Sequence, residues 1–175
     1  MGLNEDEFEV RAVGDEGRVW FKYGRLYADR ARQVEALERV VGFRMPANFL
    51  ELLGNFCEGG FDGYYRVYRD EREDVIWRHL LVMKVADEVD GPQFDTIRLL
   101  RERVDLFGEM GGLRLFPFGR ASVWRSNQDG EEGYLAFDVE RGNEVVFVTE
   151  DGKKRIKIAG NFAEMVKKAY FVHEG

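Results

Sequence analysis

Cysteine is nearly absent: Cys57 stands alone among 175 residues. An intrachain disulfide and a cysteine-based metal cluster are therefore closed to this chain. Histidine is almost as scarce. His79 and His173 would have to combine with Cys57 and carboxylates to hold zinc, and no ligand spacing supports that. Neither a metal nor a cofactor is expected. There are three prolines, so rigid linkers are few. No apolar run approaches the ~18 residues needed to cross a bilayer, so no membrane partner is expected. The opening MGLNEDEFEVR has neither the basic nor the apolar region of a signal peptide, and Asp6 stands where a myristoylation signal carries Ser or Thr. The cytoplasm is the expected location. Basic charge is also short, with 26 Lys and Arg against 33 Asp and Glu, a net charge of −7 and a sequence pI of about 5.1. Nucleic acid repels such a chain, and a basic partner is favoured.

What the chain does have is core material. The hydrophobic share is 45% and the aromatic share 14%, with fourteen Phe. That suffices for one well-packed domain. Residues 1–7 are polar and expected to be disordered. FEVRAV and RVWFKY flank a turn holding Gly14, Asp15 and Gly17, which predicts a hairpin within 8–27. From Asp29 the period becomes helical: Val34, Leu37, Val40 and Val41 share a face, and Gly42 is the stop. Pro46 opens a second helix whose face is Phe49, Leu50, Leu53, Phe56 and Cys57, with Gly59 and Gly60 as its end. Tyr64–Tyr68 and Leu80–Val85 read as strands. Asp95 is a candidate cap for a helix burying Ile97, Leu100, Val104 and Phe107, ending at Gly108. LRLFPF, YLAFDV, NEVVFVTE and KRIKIA then read as strands joined by short turns. Asn161 starts a closing helix, with Glu164 three residues on as in a capping box. Phe162, Met165, Val166, Ala169 and Tyr170 form its apolar face.

The segment DGEEG, Asp129–Gly133, is the first candidate for chemistry. It reads as a loop between a strand ending near Phe118 and the strand YLAFDV. A P-loop needs Lys-Ser or Lys-Thr entering a helix, whereas here a strand follows and two glutamates repel phosphate. An EF-hand fails in both registers: with Gly130 sixth, Arg125 is the first ligand, and with Gly133 sixth, Val139 is the twelfth. A solvated hairpin loop is favoured over a weak cation site. Cys57 lies on an apolar helix face and reads as a small buried hydrophobe rather than a nucleophile. Ser122 and Ser126 lack nucleophile-elbow glycines. GKKRIKI reads as a charged strand edge that resists aggregation. Trp124, between Arg120 and Arg125 in a presumed loop, has the composition of a protein-binding hot spot, or else plugs the core. The same two readings apply to Tyr64 and Tyr65. The candidate partner-binding residues are Tyr64, Trp124, Arg125, Asp129, Glu131 and Glu132. No catalytic residue is assigned, and no enzymatic activity is expected.

VEALERVVGFRMPANFLELLGNFCEGGF joins a helix, a glycine, an apolar-x-Pro step, a second amphipathic helix and a Gly-Gly pair. LRLFPFGR, GYLAFDVERGNEVVFVTEDG and IAGNFAEMVKKAY follow in order. Together these resemble the SMI1/KNR4 (SUKH) superfamily over roughly 31–171. The N-terminal hairpin is an addition, and the DGEEG segment is more acidic than the family's glycine-rich loop. The resemblance implies a non-catalytic α+β domain with a central, mostly antiparallel sheet flanked by helices. It implies structural roles for Gly42, Pro46, Gly59, Gly60, Pro117, Gly133 and Asp138. Bacterial members resemble immunity proteins that bind and neutralise a toxin, often a nuclease, and no contact residues carry over.

The expectation is thus one α+β domain over 8–173, comprising an added hairpin (8–27) and a family-like core (29–171). It acts as a monomer or weak homodimer on a basic toxin domain. The alternative is a small-molecule or nucleotide-sensing regulatory domain with its ligand under DGEEG.

Overall fold

The computed structural model describes residues 10–11, 20–25, 30–53, 58–61, 64–81, 96–125 and 128–173. The predicted disordered stretch 1–7 and Cys57 lie outside them. Two short strands, β1 (Val10–Arg11) and β2 (Trp20–Arg25), pair antiparallel as the hairpin reading requires, although the turn between them is outside the described residues. Helices α1 (Arg30–Val41) and α2 (Ala47–Leu53) follow. On α1, Leu37 and Val41 are fully buried but Val40 is 42% exposed, so the apolar stripe is narrower than predicted. Gly59 and Gly60 do not end a helix. They lie in β3 (Glu58–Phe61), which adds to β2 to make a three-stranded sheet.

Among the described residues the main sheet has seven strands, every neighbouring pair antiparallel, in the order β10-β4-β5-β6-β7-β8-β9. These strands are β4 (Tyr64–Arg69), β5 (Asp74–Leu80), β6 (Leu115–Arg125), β7 (Gln128–Asp138), β8 (Glu144–Thr149), β9 (Arg155–Ala159) and β10 (Tyr170–His173). The architecture is α+β with a central antiparallel sheet, as expected. Its β5 strand is DVIWRHL; of the predicted strand Leu80–Val85, Leu80 ends β5 and residues 82–85 lie outside the described residues. Three consecutive buried residues, Val75, Ile76 and Trp77, suit a strand covered on both sides, where alternation disappears.

Helices α3 (Thr96–Glu102) and α4 (Val104–Phe107) replace one longer predicted helix. The chain breaks at Arg103 (φ −122°), and Val104 turns outward instead of joining the buried stripe. Helix α5 (Phe162–Lys168) starts at Asn161, whose side chain accepts from the Glu164 N–H at 2.8 Å. Glu164 Oε2 in turn accepts from the Gly160 N–H at 3.0 Å. The helix ends at Lys168, two residues short of the predicted Tyr170. Ala169 leaves the helical region and Tyr170, 59% exposed, opens β10.

The core lies between this sheet and α1, α2 and α5. Phe43 stacks on Phe116 at 4.7 Å and Phe118 on Phe137 at 4.6 Å, while Phe49 meets Phe162 edge-on at 5.1 Å. The opposite face of β7 is also covered: Tyr134 takes the edge of Phe107 from α4 at 5.3 Å. Coverage on both faces explains the near-continuous burial of β6, β7 and β8. The sheet is strongly curled. Four strand spacings from β5 to β9 span about 19 Å when flat. Yet Glu73, in the turn before β5, forms an ion pair with Lys154, just ahead of β9.

Candidate functional site

DGEEG is not a loop. All five residues belong to β7, and β6 runs seven residues beyond Phe118 to Arg125. The ladder pairs Ala121 with Gly133, Ser122 with Glu132, and Trp124 with Asp129, with a bulge between Ser122 and Trp124. The glycines serve close approach rather than a turn. A Cβ at Gly130 would lie 2.5 Å from the Val123 carbonyl oxygen. One at Gly133 would lie 2.2 Å from that of Val148 and 2.8 Å from the Phe147 ring. Local sequence could not reveal this, because the atoms that demand glycine sit on neighbouring strands.

The correction also moves Trp124, predicted in a loop, onto β6 beside Tyr64 of β4. Their rings meet edge-on, centroids 6.3 Å apart. The Trp124 N–H donates to Ser122 Oγ at 3.0 Å, and Ser122 is fully buried. Arg78 of β5 joins the group, its guanidinium 5.2 Å from the Tyr64 ring centroid and its Nη1 2.8 Å from Glu132 Oε1. The structure therefore brings Tyr64, Trp124 and Glu132 together through Ser122 and Arg78. Sequence reading weighed Ser122 only as a nucleophile and passed over Arg78. A lone charge inside the apolar run VIWRHL was the available signal.

Arg125 and Glu131 stand next to this cluster, at the tip of the β6–β7 hairpin. Arg125 is 57% exposed, with its Nε 3.3 Å from Glu73 Oε2 and its Nη2 3.9 Å from Glu131 Oε1. Asp129 shares the tip through its backbone pairing with Trp124. Partly buried aromatics beside exposed ions of both signs form a surface suited to protein contacts: the rings offer apolar area and the ions offer directional bonds.

A second network lies further along the same strands. Arg120 sits 4.8 Å from the Tyr134 ring centroid and 2.8 Å from Glu150 Oε1. Burial pushes the Tyr134 phenol up from its ordinary value. Burial, followed by the charges of Arg78 and Arg120, pushes His79 down, which keeps its imidazole neutral at pH 7. Among the described residues, no group of three or more His, Cys, Asp or Glu side chains is placed to hold a metal ion. Nor is any helix there long and apolar enough to cross a membrane.

No family model, no curated protein and no solved structure matches the chain.

Proposed function

We propose that the protein is a non-catalytic protein-binding domain, acting as an immunity protein that neutralises a basic toxin domain by occlusion. The observation that carries this reading is the gathering of Tyr64 of β4 with Trp124, Arg125, Glu131 and Glu132 of the β6–β7 hairpin. The net charge of −7 favours a basic partner. The immunity role itself rests on the SMI1/KNR4 resemblance. The fold class is the one that resemblance implies, and a fold class is shared by many unrelated activities. The sensing alternative placed a ligand under a loop, and that segment is strand β7.

The test is co-expression with a toxin encoded beside this gene. Survival of the cell, with a complex that co-elutes on gel filtration, supports the proposal. Death despite abundant folded protein, with no complex, refutes it for that pair.

A further inference from the structure

We propose that Glu73 is a clasp that holds the tip of the β6–β7 hairpin in place. Its carboxylate, with the side chain only 10% exposed, receives Arg125 from that tip and Lys154 from the segment leading into β9. One group thus ties three hairpin ends that the curl of the sheet brings together. The turn carrying it is itself braced. Asp70 accepts from the N–H groups of Arg72 and Glu73 at 2.7 and 2.9 Å, and from the Tyr68 hydroxyl at 3.0 Å. Arg69 and Asp74 close its base at 3.0 Å. A braced turn with a shielded carboxylate is a fixed anchor, whereas the guanidinium it holds is largely exposed and on a hairpin tip. The charge of Lys154 also acts on the Asp70 carboxylate, a small further attraction toward this turn. Without Glu73, the ion pair left to Arg125 among the described residues is Glu131, at 3.9 Å and exposed, and the tip beyond the Trp124–Asp74 backbone pair loses this side-chain tie to the rest of the sheet. The clasp therefore holds the exposed tip in one conformation ahead of any contact.

Amide hydrogen exchange on the free protein tests this without any partner, so the result is independent of the immunity reading. Glu73→Ala is expected to speed exchange at Trp124, Arg125, Gly130 and Glu131 at least tenfold, leaving Phe137 and Val146 within twofold of the parent. Lys154→Met should give a smaller rise at the same amides, and the double variant should match Glu73→Ala alone. If the alanine variant does not fold, Glu73→Gln takes its place. Unchanged exchange at the tip, an even rise across the sheet, or additive effects in the double variant would each overturn the proposal.

Discussion

Gly133 shows how a single position can be decided by atoms far away in sequence. With the Val148 carbonyl oxygen 2.2 Å from where a Cβ would sit, relief requires the β7–β8 ladder to part. Gly133→Ala is expected to cost about 3 kcal/mol, at the upper end for overpacking, read as a lower urea midpoint at unchanged slope. His79 supports a second prediction, with its sign set by linkage. Its folded pKa lies below the ordinary 6.5, so its contribution is complete above that value and is lost as pH falls through the folded pKa. Asp70, Asp151 and Glu164 are also lowered, from ordinary values of 3.8, 3.8 and 4.5, so their contributions disappear at lower pH. Melting temperature should therefore begin to fall just below pH 7. His79→Gln should remove that first decline and leave the carboxylate-driven one intact.

Among the elements, α5 is one whose start was legible in the sequence. Asn161 and Glu164 are three residues apart, and Asn161 makes the cap bond that spacing predicts, while Glu164 reaches one residue past the cap to the Gly160 N–H. Asn161→Ala should destabilise the protein by about 1 kcal/mol in denaturant titration. Its far end was illegible, because Tyr170 continues the helical period but is drawn into β10 by pairing with Arg66 of β4. The Arg66 guanidinium then rests 4.8 Å from the Tyr170 ring centroid. The β6–β7 hairpin went wrong for a related reason. Gly130 and Gly133 carry turn composition, but the actual connection lies between Arg125 and Gln128. Glycine marks either a turn or a close approach, and only neighbouring strands distinguish them.

For the whole molecule, the functional reading predicts how binding divides between rates. An acidic protein meeting a basic partner should associate more slowly as salt rises, with dissociation little changed. Trp124→Ala should act instead on dissociation, weakening the complex by about 2 kcal/mol, roughly thirtyfold. Surface plasmon resonance against the co-expressed toxin separates the two effects. The exposed ion pairs nearby, Arg125 with Glu131 among them, should each contribute no more than about 1 kcal/mol to stability.

The sequence alone determined the α+β class, the start of α5, and the strands YLAFDV, NEVVFVTE and KRIKIA. These follow from hydrophobic period and capping, both local properties of a chain. Tertiary structure decided the rest. The extension of β6, the burial of a supposed loop and the meeting of Tyr64 with Trp124 depend on strand register and sheet curl. Those are set by packing between residues as far apart as Glu73 and Lys154, a separation over which no local pattern carries information.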